Sequence, residues 1–276
     1  MILCYVDKGN MDEIDDSTRY LVEGLHERKV PYGLSFEPDP TLADDYDTIL
    51  CRFDIPVKRD FLNALVPHED EKLFLNPPSS KLEYHTKAYL KEFVDSDILP
   101  PTYVGSDYEA LADFAANLSS VIFKPINLNK GKGIEVFHGA SLDELVEVCR
   151  RKTHEGTTEL VAQEFIEDIA QMGDKRINVL FYEPVSAVHR YPAEGSFLCN
   201  LSSGGRGELA EITKTDEYII EQIMPFLKEN KIAWAGVDIL GPYLGEINVA
   251  SPGMVYEADI LEGSTRTRDF LIDRLK

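Results

Sequence analysis

The chain predicts a mixed α/β and α+β architecture: a small open α/β sheet at the N-terminus, then strand-rich layers carrying helices. Three observations predict it. Short apolar runs alternate with an amphipathic helical stretch over residues 1–75. From residue 119 the pattern changes to paired apolar runs around polar loops. Proline breaks, NPP at 76–78 and LPP at 99–101, separate the two regimes.

The elements follow in order. ILCYV, PYGLSF and YDTILCRF read as short strands, and residues 15–28 as a helix. In NPPSSKLEYHTKAYLKEFV, Ser79 or Ser80 is the expected N-cap of one helix running to about Val94. Asp107 is the expected cap of the next helix. SSVIFKPI and IEVF read as a hairpin around the polar loop NLNKGKG. LDELVEVCRRK is helical, and TELVAQEFI, KRINVLFY and EPVSAVHRY are strand-like. The stretch PAEGSFLCNLSSGGRGE has no periodicity, and loops of that length in compact domains are usually lids or disordered. A helix over 216–229 precedes a last apolar hairpin at 236–257.

Composition narrows the function classes. The 276 residues carry 43% hydrophobic and 28% charged side chains and a net charge of −21. Such a charge argues against sequence-independent binding to nucleic acid or to an anionic membrane. An anionic ligand would need local lysine, arginine or metal against that field. The N-terminal stretch MILCYVDKGN has no basic segment and no long apolar run, so it does not read as a signal peptide. No window is long enough for a membrane helix. Cys4, Cys51, Cys149 and Cys199 form no C-x-x-C pair and suggest reduced thiols in a cytoplasmic protein. No histidine–cysteine cluster has zinc-ligand spacing.

The last hairpin raises a chemical question. A turn centred on Pro242 sets Asp238 opposite Glu246 and Gly236 opposite Asn248. Like charges directly opposite on a sheet repel. Two carboxylates and an amide oxygen suit a hard cation such as Mg2+. Taken alone, such a pair is better explained by a solvated hairpin with acids on its wet face.

The remaining motifs, in order, are Lys87 on the predicted helix, FKP ending at Pro125, AQEF at 162–165, GDKR at 173–176, HRYP at 189–192, NLSSGGRGE at 200–208 and GVDI…GEINVASPG. This series resembles the ATP-grasp ligases, specifically their bacterial glutathione synthetase branch. The resemblance runs over about 47–253 and is most specific over 173–252. It implies an ATP-grasp fold behind an N-terminal α/β domain. The implied segments are an N-terminal domain over 1–75, a helical linker over 76–118, a lid subdomain over 119–170 and a C-terminal subdomain with the metal and substrate site over 171–276.

The resemblance also implies roles. Lys87, Lys124 and Lys130 would meet ATP, with Gln163, Glu164 and the backbone of Phe165 and Ile166 around the adenosine. Asp238, Glu246 and Asn248 would hold Mg2+, or Mn2+ in its place. Arg176 and Arg190 would meet the transferred phosphate and the peptide substrate, and Arg206, at the end of a lid over 192–206, is the third expected catalytic residue. Arg52, Asn200, Gly204, Gly205 and the Ser251-Pro252-Gly253 turn would meet the substrates. The implied reaction is ATP-dependent amide-bond formation through an acyl phosphate, joining γ-glutamylcysteine to glycine. A related ligase with another amino-acid or peptide pair, and an inactive nucleotide-binding regulator, are the alternatives. Small molecules or short peptides are the expected partners, and the reading leaves room for a homo-oligomer.

The sequence departs from the family pattern at Leu128 and Lys130, where glycines are usual, and at Leu198, two residues before Asn200, where an arginine is usual. The chain ahead of Lys124 is also short for the bacterial enzyme.

Overall fold

The computed structural model describes residues 1–6, 13–53, 55–128 and 131–275. Strands β1 (Ile2–Val6), β2 (Tyr32–Ser35), β3 (Thr48–Arg52) and β4 (Leu73–Leu75) form a parallel sheet in the order β2-β1-β3-β4. Helix α1 (Asp16–Glu27) links β1 to β2, and α2 (Arg59–Leu65) lies between β3 and β4. Asp15 caps α1 by accepting from the Thr18 N–H. β1 and β3 are buried along their whole length, which explains their unbroken apolar runs. Neither α2 nor β4 was expected from the sequence, because both are too short to show a period.

The expected helix from Ser79 or Ser80 to Val94 is two pieces. Helix α3 (Pro78–Tyr84) is capped at Pro77 and carries both serines inside it. Ser79 bonds Glu69, and Ser80 bonds the Asn230 carbonyl. A 3-10 turn, Lys87–Phe93, then starts at Thr86, whose hydroxyl accepts from the Ala88 N–H. Lys87 breaks the helix because its N–H bonds the Ile126 carbonyl across the molecule, 3.0 Å away.

A second sheet has the order β5-β8-β6-β7 and is antiparallel, built from β5 (Thr102–Gly105), β6 (Ser120–Pro125), β7 (Glu135–His138) and β8 (Leu160–Glu164). Helices α4 (Tyr108–Ala116) and α5 (Leu142–Lys152) cover one face. Asp107 caps α4 as expected, accepting from Glu109 and Ala110.

After the short α6 (Ile169–Met172), a third, antiparallel sheet has the order β11-β10-β9-β12-β13. Its strands are β9 (Asp174–Leu180), β10 (Glu183–Tyr191), β11 (Arg206–Leu209), β12 (Trp234–Leu240) and β13 (Tyr243–Asn248). The aperiodic stretch thus contains a 3-10 turn, Leu201–Ser203, and the edge strand β11. Helix α7 (Lys214–Glu229) packs Ile219, Ile220, Ile223 and Leu227 against this sheet. Thr213 and Asp216 form a reciprocal capping box at its start. Helices α8 (Val255–Glu262) and α9 (Arg266–Arg274) close the chain against α1 and join the first and third sheets in one core. Cys4, Cys51, Cys149 and Cys199 are buried and unpaired. No helix among the described residues is long and apolar enough to cross a membrane.

Candidate active site

A cavity of about 240 Å3 lies between the second and third sheets. Its charged walls come from opposite sides of the cleft.

The third sheet supplies an ionic cluster. The hairpin β12–β13 pairs Gly236 with Asn248 and Asp238 with Glu246, as expected. Nearer the turn the register shifts by one, so Ile239 faces Leu244 and Gly245 is the extra residue. Asp238 also faces Arg176 on the neighbouring β9. It accepts from Arg176 Nε and Nη2, the latter at 2.9 Å, and pairs with Arg190 Nη2 at 2.9 Å. Arg190 in turn makes two bonds to Asp174, at 2.7 and 2.6 Å. Gly236 leaves the space in which the Arg176 side chain lies; a Cβ there would come within 3.1 Å of Nη1. Gly173 turns the chain with φ +70°, and a Cβ at that position would collide with the Arg190 carbonyl.

This arrangement corrects the repulsion argument made from the sequence. Asp238 and Glu246 face each other, but each has a protein cation: two arginines for Asp238, and Lys87 Nζ at 3.0 Å for Glu246. Burial alone would raise the Asp238 pKa; the Arg176 and Arg190 guanidiniums outweigh it and hold the carboxyl at about 2. Burial raises the Asp174 carboxyl above its ordinary range, with Arg190 only partly offsetting it. Asp238, Glu246 and Asn248 all border the cavity. Asn248 turns its amide N–H toward the Gly236 carbonyl and Asp238 Oδ2, at 3.2 and 3.4 Å. Two carboxylates and an amide are the residue types of a hard oxygen donor set suited to Mg2+, although here the Asn248 nitrogen, not its oxygen, faces Asp238.

The second sheet supplies a different kind of charge. Lys124, near the end of β6, donates to Gln163 Oε1 at 2.6 Å. Burial lowers its pKa to about 8. Lys87 reaches the same cavity from its 3-10 turn and donates to the Leu128 carbonyl at 2.8 Å. Lys132 borders the cavity as well, while Lys130 lies outside the described residues.

Glu164, Phe165 and Ile166 line the cavity, but the expected backbone edge is narrower. The Glu164 N–H bonds the Pro101 carbonyl at 2.9 Å and the Phe165 N–H bonds the Ser120 carbonyl at 3.1 Å, so neither donor is turned to a ligand. Gln163 borders the cavity but spends its side chain on Lys124 and Thr102.

From the aperiodic stretch, Phe197, Leu198, Cys199 and Asn200 border the cavity. Phe197 meets Phe165 edge-to-face at 5.7 Å, and Leu198 packs over Gly131 of the polar loop. Leu198, standing where an arginine was expected, is thus an apolar closure between two loops. Gly204 and Gly205 make the turn into β11 and do not border the cavity; a Cβ on Gly205 would crowd the Cys199 and Tyr191 carbonyls.

Two expected site arginines, and the Ser251-Pro252-Gly253 turn, also lie outside the main cavity. Arg206 is exposed on the edge strand, where it pairs with Glu208 and covers the Tyr191 ring at 4.1 Å. Arg52 is 4% exposed and lies over the Trp234 ring, donating to Thr18 and to the Pro252 carbonyl, both at 2.8 Å. It borders neither the main cavity nor the smaller one beside Ser251. It fastens the Ser251-Pro252-Gly253 turn instead. Pro252 is buried, Gly253 lies by Ser17, and Ser251 borders the smaller cavity with Phe53, Ile55, His85 and Tyr89.

Sequence reasoning missed three residues that hold this architecture. Asp174 was passed over inside GDKR. Asn76 exchanges bonds with both backbone groups of Trp234 and donates to the Val249 carbonyl at 2.9 Å. Lys81, 2% exposed with its pKa lowered to about 7 by burial, donates to the Val249 and Ala250 carbonyls. The bonds of Asn76 and Lys81 reach backbone groups more than 150 positions away, which leaves no local pattern to read.

With this geometry in view, the comparisons are specific. A family model described as the ATP-grasp domain of prokaryotic glutathione synthetase matches residues 86–263. The glutathione synthetase of Pseudomonas syringae pv. tomato is 34% identical over 238 residues, covering 84% of this chain and 73% of that one. That of Thermosynechococcus vestitus is 31% identical over 225 residues, covering 79% and 69%. Among solved structures, a D-cycloserine synthetase superimposes with a TM-score of 0.76 at 15% identity over the whole of both chains. The D-alanine–D-alanine ligase of Bacillus anthracis does so with 0.65 at 14%, covering 100% of this chain and 97% of that one.

Proposed function

Because the chain belongs to the prokaryotic glutathione synthetase family, with an ATP-grasp fold, we propose that the cavity between its second and third sheets is where ATP drives amide-bond formation. The chain is an ATP-dependent carbon–nitrogen ligase acting on small-molecule or peptide substrates. Its proposed pair is γ-glutamylcysteine, which supplies the carboxylate, and glycine, which supplies the amine. The observation that carries the reading is the convergence of Lys87, Lys124, Arg176 and Arg190 on one cavity in a chain of net charge −21.

In this reading the substrate carboxylate attacks the γ-phosphorus of ATP, and the bond to the bridging oxygen breaks, releasing ADP. The amine nitrogen then attacks the acyl carbon, loses a proton, and inorganic phosphate leaves. Lys87 and Lys124 hold phosphate oxygens as point charges. Arg176 and Arg190, fixed by Asp238 and Asp174, face the transferred phosphate with little reorganisation left to make. Asp238, Glu246 and Asn248 would hold Mg2+, which supplies polarisation of phosphoryl oxygens when bound. Phe197 and Leu198 keep water from the acyl phosphate. Asn200 and the turn at Ser251 lie toward the substrates.

The test is product analysis. Purified protein with ATP, Mg2+, γ-glutamylcysteine and glycine should release ADP and phosphate and form glutathione by mass. ADP release only with other carboxylate–amine pairs would replace this substrate assignment with the second reading, which Leu198 favours.

A further inference from the structure

We infer that Thr102 is a positioning residue for the ligation, fixing the Lys124 ammonium in place through the Gln163 side chain. The inference rests on the assignment of Lys124 to the ATP phosphates. Nothing in the motif series points to Thr102, and it does not border the cavity.

The three residues stand on three adjacent strands. Thr102 on β5 faces Gln163 on β8, and Gln163 faces Ile122 on β6. Lys124 lies two residues beyond Ile122, so it shares that face and meets Gln163 on the diagonal. The hydrogen bonds run one way. Lys124 Nζ donates to Gln163 Oε1 at 2.6 Å, Gln163 Nε2 donates to Thr102 Oγ1 at 2.7 Å, and Thr102 Oγ1 donates to the Pro100 carbonyl at 2.6 Å. A hydroxyl has one proton. Since Thr102 gives its proton to Pro100, it can only accept from Gln163. That holds the amide with its nitrogen toward Thr102 and its oxygen toward the lysine. Gln163 is 3% exposed, so water does not satisfy the amide if Thr102 is lost.

The chemistry of the middle residue explains the arrangement. An ammonium has three donors. Gln163 takes one and leaves two for phosphate oxygens. A carboxylate at that position would hold the lysine as firmly but would cancel the charge that attracts phosphate. A neutral amide holds the lysine and leaves its charge available. An amide has two ends, however, and only the oxygen end holds a lysine. Thr102 removes the wrong orientation.

The experiment compares wild type with Thr102→Val, Thr102→Ser and Lys124→Met, measuring ADP affinity by calorimetry, KM for ATP against kcat, and thermal unfolding. Thr102→Val keeps the shape and loses the hydroxyl. It should weaken ADP binding and raise the KM for ATP about tenfold while kcat changes far less, the size of one lost net hydrogen bond. Thr102→Ser restores the hydroxyl and should return both values to within about twofold of wild type, since the same bond is remade. A purely structural role would not follow the hydroxyl in this way. Should Thr102→Val fail to fold, Gln163→Met, which removes the acceptor but keeps the length, should give the same loss of ADP affinity. Wild-type ADP affinity in folded Thr102→Val or in Gln163→Met, or a Thr102→Ser protein as weak as Thr102→Val, overturns the inference. Wild-type affinity in Lys124→Met instead overturns the phosphate assignment beneath it.

Discussion

The two walls of the cavity hold positive charge in opposite ways. On the third sheet, Arg176 and Arg190 are locked by carboxylates: Asp238 between them and Asp174 beyond. On the second sheet, Lys124 is held by a neutral amide and its pKa falls to about 8. A paired wall is held by its own counter-ions, but losing one member leaves a buried charge without its partner. An amide-held lysine keeps its charge, which in the proposed function meets an incoming phosphate, but that charge depends on pH. The contrast separates what preorganises this site from what responds to ligand.

Breaking the paired wall should have the largest effect. Asp238→Asn leaves the buried Arg176 guanidinium without its counter-ion and Arg190 with Asp174 alone, and loss of about 3–5 kcal/mol of stability is expected, read by thermal or urea unfolding. Repulsion between facing acids alone would give the opposite sign. Turnover should be lost as well. Glu246→Gln is the control: its pair with Lys87 is partly exposed, so stability should change by less than about 1 kcal/mol while turnover still collapses. If both variants melt alike, the two carboxylates do not differ as described. The pH profile gives the same contrast. Asp238 has a lowered pKa, so its stabilisation is full above the ordinary carboxylate pKa of 3.8 and is lost as pH falls toward about 2.

On the other wall, Lys124→Ala should leave the fold intact and weaken ATP binding by about one to two decades, the range for a hydrogen bond to a charged group. Nucleotide titration by calorimetry measures it. Lys132→Ala, on the loop beside the cavity, should cost much less. Equal losses would mean that the phosphates do not lie against β6.

A smaller effect concerns pH. The charged form of Lys124 is the low-pH form, so ATP affinity should fall as pH rises through about 8. Bound phosphate favours the ammonium, so binding near that pH should take up a proton, visible when calorimetry is repeated in buffers of different ionisation enthalpy. Gln163→Glu places an anion beside the lysine. Its pKa should rise, the alkaline fall in affinity should move to higher pH, and affinity at neutral pH should drop. An unmoved pH profile would show that Lys124 does not set it.

The smallest expected effect is at the closure between the walls. Leu198→Ala removes the contact over Gly131 and should raise ATP hydrolysis without amine by a few-fold, with little change in stability because the side chain is only partly buried. Phosphate release with γ-glutamylcysteine alone measures it. No change would mean that Phe197 against Phe165 suffices to exclude water.

Much of the fold was legible because period and turn chemistry are local. β10 runs over the EPVSAVHRY stretch read as a strand, α5 over LDELVEVCRRK, and Asp107 caps α4 as expected. The facing of Asp238 and Glu246 followed from one Gly-Pro turn. What failed was decided at a distance. Lys87 stands at a helix break, where the Ile126 carbonyl holds its N–H. Arg52 was read toward the substrate, but Thr18 and the Pro252 carbonyl take its donors. Arg206 was read into the site with the glycines of its loop, and β-pairing with β10 carries it to an exposed edge.

By itself the sequence determined which residue types the chain offers and in what order. Alternation, caps, glycine turns and the motif series from GDKR to EINVASPG are properties of neighbours along the chain, so they survive without coordinates. Only the tertiary structure decided which charges find each other. Asp238 meets Arg176 and Arg190 across 62 and 48 positions, and Lys124 meets Gln163 across 39. Register across a sheet sets those meetings, and register follows from how whole strands bury their faces, which no single stretch encodes.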